Sequence, residues 1–330
     1  MSKLDDILKK AGIQQRQTDG STPKIEPIKT KIPALNIALQ GTVDGGIMPG
    51  ITFIAGPSRS FKSNIALNLV SAYLDADPEA ECVFFDSEFG MTDDYFLEVG
   101  IDPARVRTFQ ITNIEDLTFS ITKLLHGIDV KDKMKLIIMI DSIGNLASKK
   151  EVTDALNENS VADMTRAKAL KSLFRIITPE LNLKGIPLIG INHTYQTLEI
   201  YSKATMSGGT GPMYSSNLVW IISRAQEKDG KDLNGYTFTI NIEKSRYHRE
   251  KSKIPLTVMF DDYIQKYSGI FDLAIDAGFI KQAGAWYEVK MDLKEFDVKK
   301  YRRDDVTDEF FEKLLVNDEF KEFVKNTYKL

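Results

Sequence analysis

Cysteine and histidine are scarce in this chain of 330 residues, which has one cysteine, Cys82, and three histidines. A disulfide framework is therefore excluded, and so few scattered ligands cannot build a structural zinc site. The lone cysteine falls inside a predicted strand, which indicates a reducing compartment. We expect a cytoplasmic protein.

Long apolar runs and a strong excess of charge are also lacking. No window has the length of a transmembrane helix, and residues 1–6 lack the apolar stretch of a signal peptide, so we expect no membrane partner. The 43 Lys and Arg against 47 Asp and Glu give a net charge of −4, which does not indicate nucleic-acid binding. Local basic segments matter more than this total for a polyanion partner.

A phosphate-sized loop is the clearest feature that is present. Its residues are Gly56, Pro57, Ser58, Arg59, Ser60, Phe61, Lys62 and Ser63, between the apolar run 51–55 and a helical pattern from Asn64. Backbone N–H groups at such a strand–loop–helix junction bind phosphates, Lys62 can reach the β- and γ-phosphates, and Ser63 can ligate Mg²⁺. Phe61 replaces a usual glycine, which is unfavourable if the loop needs φ > 0. A serine- and lysine-rich β-to-α turn is the alternative.

Apolar strands alternate with helices around this loop. We predict strands at 51–55, 81–86, 106–111, 136–140 and 186–192, and helices from Thr92, over 114–126 and over 160–179. This alternation indicates an α/β fold with a mostly parallel, twisted sheet and helices on both faces. Ligands of such sheets gather at the carboxyl ends of the strands.

Three polar residues follow predicted strands at that edge. Asp141 can hold the water shell of Mg²⁺, and Glu88 can orient or deprotonate an attacking water. His193 can donate a hydrogen bond to a γ-phosphate. A helix-capping aspartate, a solvated loop glutamate and a structural histidine are the respective alternatives.

Three regions are candidates for nucleic-acid contact. The segment 194–216 is long and contains Tyr195, Tyr201 and a glycine-rich stretch with Gly208, Gly209, Thr210 and Gly211, which permits close backbone approach and base stacking. Basic residues cluster on one face of the long helix, at Lys168, Lys171 and Arg175, and again over 244–253. Solvated charged faces are the alternative for both clusters.

The two ends of the chain differ from the core. Residues 2–11 have the pattern of a short amphipathic helix, which must pack on its own domain or on a neighbouring subunit. After residue 267 we predict a helix from Gly269, a strand at 285–289 and two charged helices. We therefore predict an N-terminal helix and linker (1–30), a core with the candidate site (31–267) and a small α+β domain (268–330).

Taken together, these motifs resemble the RecA recombinase family, and within it the branch of T4-like phages. The matching segments are 30–33, 56–63, 86–90, 141–151, 163–168, 191–195, 208–215 and 243–246. The resemblance covers about residues 28–290, and Phe61 belongs to the usual loop of this branch. The host cytoplasm is then the expected location if the chain is of phage origin.

The resemblance implies a RecA-type P-loop ATPase core that uses ATP and Mg²⁺, with roles for individual residues. Residues Gly56 to Asn64 would bind the nucleotide and Tyr95 would stack on adenine, while Ser63 and Asp141 would serve the metal. Glu88 would be the catalytic glutamate. His193 would sense the γ-phosphate, although bacterial relatives have glutamine there.

The resemblance also implies DNA-binding and interface residues. Residues 149–160 form the first loop segment and residues 194–216 the second, and both would bind DNA, together with Arg166 and Lys168. Lys244 and Arg246 would act on the ATP of a neighbouring subunit in a filament. The N-terminal helix would be the polymerisation element.

We therefore predict an ATP-dependent DNA recombinase that forms helical filaments on single-stranded DNA and exchanges strands with homologous duplex DNA. A single-strand-binding protein and a recombination mediator are expected as further partners. Two alternatives remain: a hexameric helicase with the same core, and a non-catalytic mediator, against which the presence of both Lys62 and Glu88 speaks.

Overall fold

The computed structural model describes Lys10 and residues 25–132, 134–157, 165–196, 204–229, 232–260, 263–284, 286–290 and 302–329. Its centre is one mixed sheet, parallel in one half and antiparallel in the other. The predicted α/β class with a mostly parallel sheet and helices is confirmed.

The parallel half of the sheet contains the strands that the sequence predicts. They are β1 (Gly50–Gly56), β2 (Glu81–Asp86), β3 (Val106–Gln110), β4 (Leu136–Asp141) and β5 (Pro187–Gln196). Every residue of β1 and β4 is buried. Successive residues alternate between two apolar clusters, with Phe84 in one and Phe85 in the other. Because side chains alternate along a strand, both faces of this sheet are covered.

An antiparallel extension continues the sheet beyond β1. It consists of β7 (Leu218–Asp229), β8 (Asp232–Ser245), β9 (Lys253–Met259) and β10 (Tyr263–Ile264), of which β7 runs parallel to β1. The strand order across the sheet is β10-β9-β8-β7-β1-β5-β4-β2-β3. These strands were not predicted from the sequence. The alternation of buried Phe238, Ile240 and Ile242 with less buried neighbours is the period-2 signal that marks β8.

The helices before the C-terminal region are α1 (Pro33–Gln40), α2 (Lys62–Asp75), α3 (Asp93–Glu98), α4 (Ile114–Gly127), α5 (Lys149–Leu156), α6 (Thr165–Lys184) and α7 (Thr210–Ser215). Buried residues of α2 belong to one of the two apolar clusters, and those of α4 and α6 to the other, so helices cover both faces of the sheet. The prediction that the long helix ends at Pro179 was wrong, because α6 continues to Lys184. Pro179 lies on an exposed part of the helix, and buried Leu181 anchors the last turn in the same apolar cluster as Ile177.

The second loop segment is more regular than a loop. Strand β5 extends to Gln196, β6 (Ala204–Met206) pairs antiparallel with that extension, and α7 follows at Thr210. Residues 197–203, which include Tyr201, lie outside the described residues.

The chain ends in α8 (Ile270–Asp276), the hairpin β11 (Ile280–Ala283) and β12 (Trp286–Val289), and the helices α9 (Asp308–Val316) and α10 (Asp318–Tyr328). Buried Phe310, Phe320 and Val324 share one apolar cluster with the main sheet. The predicted domain bounds stay a prediction. The predicted N-terminal helix over 2–11 falls outside the described residues except for Lys10. None of the helices in the described part of the chain is long and apolar enough to cross a membrane.

Candidate active site

The loop between β1 and α2 needs left-handed backbone at two residues that are not glycine. Arg59 has φ 59° and Phe61 has φ 62°, a conformation that costs roughly 1–3 kcal/mol for a non-glycine residue. The ring of Phe61 stacks on Phe238 at a centroid distance of 5.2 Å, and this contact offsets part of that cost. The sequence anticipates the left-handed backbone at position 61, but only the fold shows the ring that Phe61 packs against.

Lys62 and Ser63 begin α2 and point their polar atoms at the loop and at β4. The Nζ of Lys62 donates to the carbonyl of Pro57 at 2.8 Å, and the side chain is almost completely buried. Ser63 Oγ donates to Asp141 Oδ2 at 2.7 Å. The structure therefore brings the two predicted metal-binding residues into direct contact.

Burial shifts the titration of both charged residues in this group. The pKa of Asp141 is raised to about 6, first by burial and then by the negative charges of Glu88 and Asp86, against the hydrogen bond from Ser63. Burial lowers the pKa of Lys62, which the charge of Asp141 partly opposes. A cation near the Asp141 carboxylate would favour its ionised form.

Glu88 follows β2 in a turn that Asp86 builds. The Oδ1 of Asp86 accepts the backbone N–H groups of Glu88 and Phe89, each at 2.9 Å. Glu88 Oε1 then lies 3.6 Å from His193 Nε2, and that nitrogen lies 3.5 Å from Ser142 Oγ. Burial and the charge of Lys62 lower the pKa of His193, which favours the neutral ring.

One cavity of about 590 Å³, a volume typical of small-molecule sites, lies between these elements. Of the predicted nucleotide-binding residues, Ser58 to Asn64 and Tyr95 line it, whereas Gly56 and Pro57 do not. The predicted Glu88, Asp141 and His193 also line it.

Aromatic residues that were not predicted form another wall of this cavity. They include Tyr236, Phe238 and Phe260. The guanidinium of Arg224 lies over the Tyr236 ring at 4.8 Å and donates to the carbonyl of Arg59 at 3.1 Å. Their spacing in the sequence gives no motif, since β7, β8 and the segment after β9 meet only in the fold.

Lys244 and Arg246 do not line this cavity in the single chain. Lys244 Nζ donates to the carbonyls of Met213, Tyr214 and Ser216 at 2.7, 3.1 and 2.8 Å, which closes the C-terminal end of α7. Burial and the charge of Arg246 lower the pKa of Lys244. Arg246 is exposed.

The second loop segment is hydrogen-bonded to the end of β5. Asn192 donates to the carbonyl of Ser207 at 2.9 Å and accepts from the Ser207 hydroxyl at 2.6 Å, and Ser207 N–H donates to the carbonyl of His193. Asn192 is fully buried. The end of β5 that carries His193, the candidate γ-phosphate sensor, is thus joined to this segment by three hydrogen bonds that were not predicted.

The backbone conformation and the packing of this segment explain its glycines. Gly208 and Gly209 have φ 95° and 76°, in the left-handed region that favours glycine. A Cβ on Gly211 would lie 2.7 Å from the Cα of Lys171, so glycine lets α7 approach the backbone of α6. Thr210, beside them, is exposed at the start of α7.

The other predicted DNA-binding residues differ in their surroundings. Lys168 is exposed and Tyr195 is 53% exposed. Arg166 instead donates from Nε and Nη2 to the carbonyls of Ile143, Gly144 and Leu146, at 2.8–3.1 Å. Within the described ranges, its Nη1 has no such bond.

The donor set fits Mg²⁺ carried by a nucleotide better than a metal site of protein ligands alone. The described residues contain no cluster of three or more His, Cys, Asp or Glu that could hold a metal ion. Mg²⁺ commonly takes one or two protein ligands, substrate phosphates and waters. Ser63 and Asp141, next to a loop suited to phosphates, meet that description.

Comparison with known proteins shows that the sequence matches two family models, one after the other along the chain. Residues 1–265 match the RecA N-terminal domain, and residues 267–324 match the C-terminal domain of the bacteriophage T4 recombination and repair protein (UvsX).

Individual relatives agree with these matches. The recombination and repair protein of Enterobacteria phage T4 is 44% identical over 341 residues, covering 100% of this chain and 87% of that protein. Protein RecA of Kineococcus radiotolerans is 27% identical over 285 residues, covering 85% of this chain and 78% of that protein. Protein RecA of Corynebacterium glutamicum strain R is 26% identical over 319 residues, covering 92% of this chain and 81% of that protein.

Proposed function

The chain belongs to the RecA family, and on that premise we propose that it is an ATP-hydrolysing DNA recombinase acting in recombination and repair. The observation that carries the proposal is the convergence of Lys62, the Ser63–Asp141 pair and Glu88 on one cavity beside the predicted phosphate-binding loop. Each of these groups has a distinct task in phosphoryl transfer.

The residues present fit ATP and Mg²⁺. The backbone of the loop and the Lys62 ammonium would hold the phosphates, Ser63 and Asp141 would hold the metal, and Tyr95 would stack on the base. Bound ATP and Mg²⁺ would supply the phosphoanhydride bond and the charge neutralisation that its cleavage needs.

Two side chains near the phosphates, Glu88 and His193, would have separate roles. Glu88 would accept the proton of the attacking water, because its carboxylate follows β2 at the edge of the cavity. His193 would donate a hydrogen bond to the terminal phosphate from its neutral ring. Its bonds through Asn192 and Ser207 would pass the state of that phosphate to the second loop segment.

We further propose that the chain forms helical filaments on single-stranded DNA, pairs it with homologous duplex DNA and exchanges strands. Lys168, Tyr195, Arg166 and the glycine-rich stretch from Gly208 to Gly211 would contact DNA. Lys244 and Arg246 would complete the site of a neighbouring subunit. They are available for that role because they do not line the cavity of their own chain. A single-strand-binding protein and a mediator stay predicted partners.

A joint-molecule assay tests this function directly. Circular single-stranded DNA and homologous linear duplex are mixed with the protein, with and without ATP and Mg²⁺. We expect joint molecules with ATP only, DNA-stimulated ATP hydrolysis, and filaments by negative-stain microscopy. Lys62→Ala should abolish turnover. Unwinding of the duplex by rings of subunits, without joint molecules, would favour a helicase, and DNA binding without hydrolysis would favour a non-catalytic mediator.

A further inference from the structure

A short turn after β4 touches both side chains that face the terminal phosphate in the proposed site. It comprises residues 142–146, with a 3₁₀ turn over Ile143–Asn145. Its Ser142 hydroxyl lies 3.5 Å from His193 Nε2. Its Asn145 reaches Glu88, which is 57 positions away in the sequence.

The contact between Asn145 and Glu88 is a direct hydrogen bond. Asn145 Nδ2 donates to Glu88 Oε1 at 3.0 Å. The Glu88 side chain is 42% exposed, and the same oxygen lies 3.6 Å from His193 Nε2. A glutamate this exposed loses considerable rotamer freedom when it is held in one orientation, so its direction depends on such partners. The Asn145 amide neither gains nor loses a proton near neutral pH, so it can orient Glu88 but cannot replace it.

Two neighbours hold the backbone that carries Asn145. The guanidinium of Arg166 bonds three carbonyls of the turn. In addition, a Cβ on Gly144 would lie 2.5 Å from the His193 ring, so glycine lets the turn rest against that ring. Ile143 is fully buried. The backbone from which the Asn145 side chain projects is therefore held in place by these contacts, which a positioning group requires.

We propose that Asn145 is a positioning residue for ATP hydrolysis, which orients the Glu88 carboxylate at the edge of the cavity. The proposal rests on the proposed ATPase function. It adds no chemical step: Glu88 takes the proton of the attacking water, and Asn145 restricts the orientations from which it can do so.

Asn145→Ala tests the proposal through a split between kcat and KM. With saturating single-stranded DNA, we expect kcat for ATP to fall roughly tenfold, as for loss of one charge-assisted hydrogen bond at a half-exposed site. The KM for ATP should stay within about twofold, because an interaction used only in the transition state leaves ground-state binding unchanged. ATP-dependent filaments should form as in the unchanged protein.

Asn182→Ala is the matched control. Asn182 is an exposed asparagine on α6 whose amide donates to the carbonyl of Thr178, away from Glu88. Its kcat should equal that of the unchanged protein. An equal fall of kcat in both variants would contradict the proposal.

A double-mutant cycle with Glu88→Gln separates positioning from a general structural role. Residual rates are measured in single-turnover reactions with labelled ATP. If Asn145 acts through Glu88, adding Asn145→Ala to Glu88→Gln should change the rate by less than about twofold. A further tenfold loss, an unchanged kcat in Asn145→Ala alone, or lost filaments would each overturn the proposal. Absence of hydrolysis in the unchanged protein would instead refute the proposed function.

Discussion

The stability of this protein is expected to fall in mild acid because of one buried histidine. His248 is 0% exposed and lies in the turn after β8. A Cβ on Gly41 would lie 2.6 Å from the His248 Cβ, and the neighbouring Arg249 N–H donates to the carbonyl of Tyr328 at 2.7 Å. The histidine is thus enclosed between the end of α1 and the end of α10.

Hydrogen bonding favours the neutral form of His248. Ser245 Oγ accepts the N–H groups of Tyr247 and His248, each at 3.0 Å, so its own hydrogen is free to point at His248 Nδ1, 2.8 Å away. The ring proton then belongs on Nε2, which has no hydrogen-bond partner among the described residues. A second proton on Nδ1 would make that atom a donor and break the bond with Ser245. Burial of the ring acts in the same direction and lowers the pKa of His248 from 6.5 to about 4.

The sign and size of the effect follow from linkage. Because the folded pKa lies below the unfolded one, the unfolded chain takes up the proton first as the pH falls. The stability is fully present above pH 6.5 and is lost progressively down to pH 4. At about 1.36 kcal/mol per pKa unit, the full loss is roughly 3 kcal/mol, of which about 2 kcal/mol is reached near pH 5. That is a large share of a typical unfolding free energy of about 5–15 kcal/mol.

Urea unfolding at pH 8 and pH 5 measures this loss. His248→Asn removes the titrating ring and keeps an acceptor oxygen for Ser245, whereas His126→Asn removes a histidine that is exposed on α4. We expect the loss between the two pH values to be about 2 kcal/mol smaller in His248→Asn, and unchanged in His126→Asn. Any constant cost of His248→Asn cancels in the difference between the pH values. Equal losses in His248→Asn and the unchanged protein would refute the reasoning.

Three further changes test the site and its surroundings. Glu88→Gln should keep ATP-dependent DNA binding and slow hydrolysis by roughly 10²–10⁴ in a turnover assay; loss of both together would contradict its role as base. Mixing Lys62→Ala with Arg246→Ala subunits should restore some ATP hydrolysis at mixed interfaces, and absence of rescue at every ratio would contradict completion of the site by a neighbour. Gly211→Ala should weaken single-stranded DNA binding in a fluorescence anisotropy titration, because the added Cβ would displace α7 from α6. Its control is Gly127→Ala, where the added Cβ meets nothing within 4 Å; equal weakening by both would contradict this reasoning.

The parallel core and its polar edge could be predicted because buried parallel strands give continuous apolar runs. The run that ends at Asp141 identifies both β4 and the residue at its carboxyl end. The left-handed backbone at Phe61 was foreseeable from the loop motif. Strand β8 carried an alternating signal as well, but its place beside β7 and β9 depends on pairing partners, which only the fold provides.

The interactions that could not be predicted join residues far apart in the sequence. Asn145 meets Glu88 only because β2 and β4 are neighbours in the sheet, with Asp86 opposite Asp141. The sequence does not show whether a basic residue such as Arg166 binds phosphate or donates hydrogen bonds to backbone carbonyls. Its three bonds to the turn after β4 depend on where α6 begins in space.

Lys244 shows how one ammonium can connect two predicted sites. An ammonium has three N–H donors, and in the single chain Lys244 has a carbonyl partner for each of them at the end of α7. On the prediction that Lys244 reaches the nucleotide of a neighbouring subunit, it must give up some of these bonds, because it has no donor to spare. The carbonyls it leaves would need water or new partners, at a cost of roughly 1–3 kcal/mol for each one left buried and unpaired. Helix α7 belongs to the second loop segment, which is predicted to bind DNA. The triphosphate of a neighbouring subunit and the carbonyls at the end of α7 would therefore compete for the three ammonium hydrogens of Lys244.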